Sequence, residues 1–195
     1  MKSIDSIESV KSTKLIESVK SAESIDLYNS AKSIIIFTDG SVPNNQGTNR
    51  KGGIGVFFGT NYASDISLSL QETKDFKVTN QVCELLACIK GIESINKIKG
   101  IIKPNIKIYT DSMYVVNIIN CWAKKWEKNN WKKADNKSIQ NEHLIKQLYF
   151  LSNKYDVKYI HVKAHRKEPD KMSNDYFIWY GNYMADKLAV SASTK

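Results

Sequence analysis

Two apolar runs in the chain end in the same way, with a threonine followed by an aspartate. The first reads IIIFTDGS (34–41) and the second reads NIKIYTDS (105–112). Each run is typical of a strand in a sheet, and a carboxylate at the edge of a core is costly unless its charge is compensated. If the two strands are neighbours, Asp39 and Asp111 lie side by side at the carboxyl end of the sheet, where α/β proteins commonly build sites. Two adjacent carboxylates repel each other, and a divalent cation would neutralise them.

Two further acids lie in apolar helical patterns and could reach the same edge. Glu84 is one turn into one predicted helix, and Asp186 is in the last one. Four oxygen donors without cysteine or clustered histidine favour Mg²⁺ or Mn²⁺ over zinc. Each acid also has an ordinary alternative: Asp39 as a turn residue, Asp111 as a helix cap, Glu84 as a solvated position and Asp186 as an ion-pair partner of Lys187.

The elements that position these acids follow from the hydrophobic periodicity of the chain. Strands are predicted at 33–40, 51–59, 63–71, 105–112 and 156–165, and helices at 80–97, from Ser112, at 138–153 and from about Asn182. Three strands followed by alternating helices and strands predict the α/β class, with a mixed sheet covered by helices.

The composition of the chain limits its class of function. It has 195 residues, 42% of them hydrophobic, and a formal net charge of +9 that makes an anionic partner plausible. Its three cysteines form no CxxC pair and fit neither a disulfide framework nor a zinc site. We therefore expect a reducing intracellular compartment, cytoplasm or nucleus, and not secretion. The sequence shows no signal-peptide pattern and no long apolar run, so no membrane association is expected.

The first 33 residues differ from the rest of the chain. IESVKS occurs at 7–12 and again at 16–21, in a serine-rich stretch where five lysines balance five acids. This composition predicts a disordered or weakly helical tail. The alternative is a helix that docks a partner or serves in targeting, although five acids argue against a transit peptide.

Five separated motifs resemble, in order and rough spacing, those of type 1 ribonucleases H. They are TDGS with an asparagine six residues beyond its aspartate, GGIGVFFG, TNQVCELLA, YTDSMYVVN and GNYMADKLA. The resemblance covers the chain from about Ile34 to Ala192. It implies the RNase H-like fold, a mixed five-stranded sheet with the first three strands antiparallel, flanked by helices. Residues 34–195 are then the catalytic domain, with eukaryote-like motifs and without an N-terminal hybrid-binding domain.

The resemblance also implies a reaction and the residues that perform it. Asp39, Glu84, Asp111 and Asp186 match the family's metal-binding carboxylates, and His165 matches its mobile histidine, which helps proton transfer or product release. The implied reaction is two-metal-ion, endonucleolytic hydrolysis of the RNA strand of RNA/DNA hybrids, leaving 5′-phosphate and 3′-hydroxyl ends. The implied cofactors are two Mg²⁺ ions, which Mn²⁺ can replace, with no small-molecule cofactor.

Substrate contacts are expected in two places. The basic stretch 121–137 interleaves lysine and tryptophan and resembles the family's basic protrusion, which grips the DNA strand. Its candidate contacts are Trp122, Lys124, Lys125, Trp126, Trp131 and Lys132, although one or two of the tryptophans should pack against the body. By resemblance, Lys77, Thr79 and Asn141 form a DNA-phosphate pocket, and Asn45, Asn80 and Gln81 read the minor groove, including 2′-hydroxyls.

The chain departs from the family pattern in two places. The segment between His165 and Asp186 is longer than usual, which predicts an insertion at about 166–181 that could be a flap, a partner surface or a decorated loop. Val82 stands where a basic residue is frequent, so one substrate contact is in doubt. Two alternatives to a ribonuclease H remain. One is a catalytically silent hybrid-binding module, whose relatives usually lose an acid, and the other is a nuclease of the same fold with another substrate.

Overall fold

The computed structural model of the protein describes residues 33–43, 49–59, 63–95 and 105–195. The predicted tail, except for Ser33, and the candidate groove residue Asn45 lie outside the described residues.

Five strands in the described residues form one mixed sheet in the order β3-β2-β1-β4-β5. They are β1 (Ser33–Ser41), β2 (Lys51–Phe58), β3 (Ile66–Gln71), β4 (Asn105–Thr110) and β5 (Val157–His161). β1, β2 and β3 pair antiparallel, whereas β4 runs parallel to both β1 and β5. The predicted fold class is confirmed, and the two strands that precede aspartates are neighbours at the centre of the sheet.

The helices of the described residues lie between β3 and β4, between β4 and β5, and after β5. They are α1 (Asn80–Ile95), α2 (Met113–Asn117), α3 (Ala123–Lys128), α4 (Glu142–Tyr155) and α5 (Asp175–Ser193), with a π-helical turn at Ile118–Trp122. Thr79 caps α1, since its Oγ1 accepts a hydrogen bond from the Val82 amide at 3.2 Å. Not one of these helices combines the length and apolarity that crossing a membrane requires.

Two predicted helix starts are wrong. α4 begins at Glu142 and not at 138, because Ser138 pairs with Lys132 in an isolated bridge. α5 begins at Asp175 and not at about Asn182, so the second half of the predicted insertion 166–181 is helix and only residues before it form a loop. Two aromatic residues of this added helical segment pack on the sheet, with ring centroids 5.6 Å apart for Phe37 and Phe177 and 5.8 Å apart for Phe57 and Tyr180.

α1 and α5 lie on opposite faces of the sheet. Successive strand residues point to opposite faces of a sheet. A Cβ on Gly52 would meet Val78, just before α1, and Cys83 of α1, whereas a Cβ on Gly53 would meet Ala189 of α5. On the α1 side the sheet and helices share a continuous apolar core. Its fully buried members include Ile36, Ile54, Val56, Leu85, Ile89, Ile92, Ile108, Ile145 and Leu148. The carboxyl ends of β1 and β4 are therefore flanked by a helix on each side.

Candidate active site

Asp39 and Asp111 lie next to each other at the carboxyl end of the sheet. Thr38 of β1 is in register with Thr110 of β4, and each aspartate is the next residue of its chain segment. Neighbouring strands are about 4.8 Å apart. Phe37, two residues before Asp39, packs against α5, so the alternation of side chains places Asp39 on the α5 face as well.

α1 brings Glu84 to this edge from the opposite face. A Cβ on Gly40 would lie 2.5 Å from the backbone nitrogen of Glu84, so only glycine lets the end of β1 touch the start of α1 this closely. The Ser112 hydroxyl, directly after Asp111, donates a hydrogen bond to Oε2 of Glu84 at 2.6 Å. Oγ of Ser112 also accepts a hydrogen bond from the Val115 amide at 3.3 Å and so caps α2. Glu84 is thereby tied to the turn that carries Asp111.

α5 brings Asp186 to the site through a close contact between helix and sheet. A Cβ on Gly55 would collide with the carbonyl oxygen of Ala185, and one on Gly53 would collide with that of Ala189. Gly55 is also the residue that pairs with Asp39 between β1 and β2. The α5 backbone thus rests directly on β2, and Asp186, the residue after Ala185, lies close to Asp39.

The charges of the other three carboxylates all act on Asp39. Burial and then the charge of Asp111 raise the pKa of Asp39 to about 8, with smaller contributions from Asp186 and Glu84, against a hydrogen bond from the Gly40 amide. Burial also raises the pKa of Glu84, and the Ser112 hydroxyl opposes that rise. Burial and neighbouring carboxylates therefore both disfavour the charged form of Asp39.

The carboxylates influence one another without being gathered around one point. Among the residues that the structure describes, no group of three or more histidine, cysteine, aspartate or glutamate side chains is arranged to hold a metal ion. Burial is the largest cause of the raised pKa of Asp39, and the charge of Asp111 is the next. The donor set itself, four carboxylates on strand ends and helices, has the oxygen chemistry that Mg²⁺ and Mn²⁺ prefer.

A cleft of about 200 Å³ opens beside Asp111 and Asp186, and His165 and Asn182 line it. His165 is exposed and has a φ of 48°, a left-handed conformation uncommon outside glycine. Burial raises the pKa of Asp111, whereas a hydrogen bond from Asn182 and the charge of His165 lower it. Asn182 is 9% exposed, and its Oδ1 is buried without a hydrogen-bond partner in the described residues. The cleft thus combines an exposed histidine with a buried acceptor that has no hydrogen-bond partner in the described residues.

Comparison with known proteins gives the same assignment as the geometry. The RNase H family profile matches residues 31–194. The chain belongs to the ribonuclease H family. It is 33% identical to the ribonuclease H of Clostridium botulinum over 161 residues, covering 81% of this chain and 93% of that protein. It is 32% identical to human ribonuclease H1 over 155 residues, covering 80% of this chain and 48% of the human protein.

The fold is also similar to that of solved structures. Foamy viral protease-reverse transcriptase, solved in complex with an RNA/DNA hybrid, superposes with a TM-score of 0.59 at 21% identity, covering 82% of this chain and 20% of the viral one. At that identity the likeness shows the fold alone. Membership of the ribonuclease H family, whose members are endoribonucleases, confirms the predicted family and the expectation of an enzyme.

The candidate phosphate and groove residues that the structure describes lie around the starts of α1 and α4. Lys77 and Asn80 are exposed, and Thr79 and Gln81 are half-buried. Asn141, directly before α4, has a φ of 57° and a buried Nδ2 with no hydrogen-bond partner in the described residues. An unpaired amide donor of this kind suits a phosphate oxygen.

The tryptophans of the basic protrusion divide into two kinds. Trp126 and Trp131 are half-buried against the core, and Trp131 meets Tyr149 edge to face at 5.9 Å. Trp122 is 38% exposed and lies 5.7 Å from Trp126 between ring centroids. The expectation that one or two tryptophans pack against the body is confirmed. The candidate lysines Lys124, Lys125 and Lys132 are all exposed.

Sequence reasoning missed several residues of the site. Ser112 and Asn182 entered only as helix starts, yet they hydrogen-bond Glu84 and Asp111. The spacing of Asn182 could have revealed it, because it precedes Asp186 by one helical turn and shares its face. Val82, which replaces a frequent basic residue, is only 4% exposed and belongs to the core.

Proposed function

We propose that the protein hydrolyses the RNA strand of RNA/DNA hybrids by two-metal-ion catalysis, leaving 5′-phosphate and 3′-hydroxyl ends. The observation that supports this most is the convergence of Asp39, Glu84, Asp111 and Asp186 from four elements at one edge of the sheet. A silent binding module would have no use for four mutually repelling carboxylates, because they cost stability in the absence of a cation.

The proposed cofactors are two Mg²⁺ ions, held by those four carboxylates. The fit rests on the all-oxygen donor set and on the buried, unpartnered Oδ1 of Asn182, which can accept a hydrogen bond from bound water. When bound, the ions supply activation of the attacking water and stabilisation of the leaving 3′ oxygen.

The other residues of the site hold these groups in place or move protons. Ser112 orients Glu84, and Asn182 orients Asp111. His165, exposed at the mouth of the cleft, is assigned to proton transfer or product release. It faces Asp111 closely enough for its charge to affect the pKa of that carboxyl.

The proposed substrate is an RNA/DNA hybrid, as in the complex of the foamy viral enzyme. The exposed lysines Lys124, Lys125 and Lys132, together with Trp122, would hold the DNA strand, and the half-buried Trp126 and Trp131 would support that surface. Lys77, Thr79 and Asn141 would hold a DNA phosphate. Asn45, Asn80 and Gln81 would distinguish RNA from DNA through 2′-hydroxyls in the minor groove.

The test is cleavage of an end-labelled RNA/DNA hybrid in Mg²⁺, with RNA/RNA and DNA/DNA duplexes alongside. We expect cutting of the hybrid alone and products that carry a 5′-phosphate. Asp111→Asn should bind the hybrid but fail to cut it, whereas Asp156→Asn, the same change at the exposed end of α4, should cut normally. Hybrid binding without cutting by the wild type in Mg²⁺ or Mn²⁺ would contradict the proposal and favour a binding module.

A further inference from the structure

Four aromatic residues form a ladder along α5, within and just after the predicted insertion. The α5 ladder consists of Tyr176, Trp179, Tyr180 and Tyr183, which follow one another at helical spacing. Trp179 and Tyr183 are stacked with centroids 5.3 Å apart and ring planes 9° apart, and Tyr176 and Tyr180 are stacked at 6.0 Å and 16°. Tyr176 also contacts Trp179 at 5.6 Å, so the two stacks are continuous.

Anchoring α5 to the sheet does not require most of this ladder. Phe177 and Tyr180 make the ring contacts with the sheet, to Phe37 and Phe57. Tyr183 is nevertheless 41% exposed, and Tyr180 is 38% exposed in spite of its sheet contact. Contiguous aromatic surface of this kind usually serves an interaction.

The ladder is continuous with the candidate active site. Trp179 and Tyr183 line the same cleft as Asp111, His165 and Asp186. From Tyr176 to Tyr183 the helix rises about 10 Å, and Asp186 lies less than one further turn along the same helix. A strand that leaves the cleft along α5 would therefore pass over the ladder.

Three cations lie beside the ladder, and one of them, Arg166, also forms an ion pair with Asp175 at 3.3 Å. Lys163 and Arg166 line the cleft, and the ammonium of Lys187 lies 5.3 Å from the centre of the Tyr183 ring. The indole N–H of Trp179 donates a hydrogen bond to the Arg166 carbonyl oxygen at 2.9 Å, which joins the loop to the ladder. Cations that follow a backbone beside flat rings are the usual means of binding single-stranded nucleic acid. Bases inside a duplex are already stacked and paired, so rings of this kind can stack only on unpaired bases.

We propose that the α5 ladder, with Lys163, Arg166 and Lys187, binds unpaired nucleotides of the RNA strand where that strand continues beyond the hybrid. Lys187 would exchange its contact with Tyr183 for a phosphate, and the freed ring face would stack on a base. This inference rests on the proposed function, because it requires the RNA strand to lie at the carboxylates. It makes the preferred substrate a hybrid that adjoins single-stranded RNA.

The experiment compares hybrids of identical duplex sequence, one blunt and the others with an oligouridine extension at the 5′ or the 3′ end of the RNA. Steady-state cleavage over a range of hybrid concentrations gives the KM of each. We expect one extension to lower the wild-type KM about tenfold, the effect of one base stacked on an aromatic ring. Equal KM values for all three substrates would overturn the inference without any variant being made.

Variants locate the effect. Tyr183→Leu and Tyr176→Leu keep apolar bulk but cannot stack on a base. In each variant the KM for the extended hybrid, divided by the KM for the blunt hybrid, should therefore rise most of the way to one. Each variant is compared with its own blunt KM, so a general loss of activity does not affect the ratio. Phe150→Leu, at a 66% exposed aromatic position on α4, should keep the wild-type ratio. Retention of the ratio by both tyrosine variants would contradict the inference, and a wild type that cleaves no substrate would instead overturn the proposed function.

Discussion

The carboxylate site and the basic protrusion are built by different means, although one substrate would contact both. The carboxylates lie on elements that touch backbone to backbone, where Gly40 meets α1 and Gly55 meets α5. The protrusion consists of short helical segments and turns, with positive φ at Asn130, Trp131 and Asn136. Catalysis requires fixed positions, whereas attraction to a phosphate backbone tolerates movement. Changes at the first region should therefore affect folding and rate, and changes at the second should affect affinity.

The largest effect is expected from Gly55→Ala. The new Cβ would collide with the carbonyl oxygen of Ala185, so α5 and Asp186 must move. We expect a loss of about 3 kcal/mol in the free energy of unfolding, measured in urea, together with loss of cleavage. Gly91→Ala is the matched control, since its Cβ would lie 3.1 Å from a side-chain methyl of Ile36 and alanine favours helix. Equal stabilities of the two variants would contradict the close-contact explanation.

Metal removal should affect the first region next. Mg²⁺ at about 100 times its dissociation constant should stabilise the protein by about 2.7 kcal/mol relative to protein in EDTA. For a domain of this size that raises Tm by roughly 5–10 °C. In Asp39→Asn the increase in Tm on adding Mg²⁺ should shrink sharply, because a metal ligand is lost. Asp156→Asn should keep the full increase. An undiminished increase in Asp39→Asn would place the bound ion elsewhere.

Replacing each of two tryptophans of the protrusion by alanine should affect a different property, stability for Trp131 and hybrid affinity for Trp122. Trp131→Ala removes a half-buried ring that contacts Tyr149 and carries Lys146 at 5.1 Å above it, so about 2 kcal/mol of stability should be lost. Trp122→Ala removes a more exposed ring and should reduce hybrid affinity with little change in stability. Thermal unfolding and hybrid binding, measured on both variants, separate the two roles. Loss of stability in Trp122→Ala together with loss of hybrid affinity alone in Trp131→Ala would contradict this assignment.

A smaller effect is expected from Lys125→Gln. The lysine is exposed, so its loss should leave Tm unchanged. Hybrid affinity should fall a few-fold, and the slope of log affinity against log salt should decrease by about 1, as for one lost phosphate contact. A slope equal to that of the wild type would show that Lys125 does not contact the backbone.

The smallest effect concerns acid stability of the β2–β3 hairpin. Hydrogen bonds from Arg50 lower the pKa of Glu72 from 4.5 to about 2. Because the pKa of Glu72 is lower in the folded state than in the unfolded state, the ion pair stabilises the fold fully at pH values above the unfolded pKa. That stabilisation is lost as pH falls through about 2. Glu72→Gln should therefore be destabilising at pH 7 but not at pH 2, by urea unfolding. The exposed Glu168→Gln should show no such change with pH.

The sequence predicted more of the site than of its supports. Strand ends and helix periodicity were sufficient for the fold class and for the two strands that precede Asp39 and Asp111, because those signals are local. The close contacts of Gly40, Gly53 and Gly55 could not be predicted, since glycine in a strand does not show which helix approaches it. The start of α5 was wrong because Phe177 and Tyr180 have no strict helical pattern of their own and are ordered by packing on Phe37 and Phe57.

Two measurements on Glu84→Gln and Lys125→Gln test the division between the two regions most directly. They are the dissociation constant for the hybrid and the cleavage rate at saturating hybrid, both in Mg²⁺. Glu84→Gln should keep its dissociation constant and lose more than about 100-fold in rate, because even partners outside a ligand set cost 10–100-fold. Lys125→Gln should keep its rate and lose affinity. A Glu84→Gln protein that cleaves at the wild-type rate would contradict the four-carboxylate site.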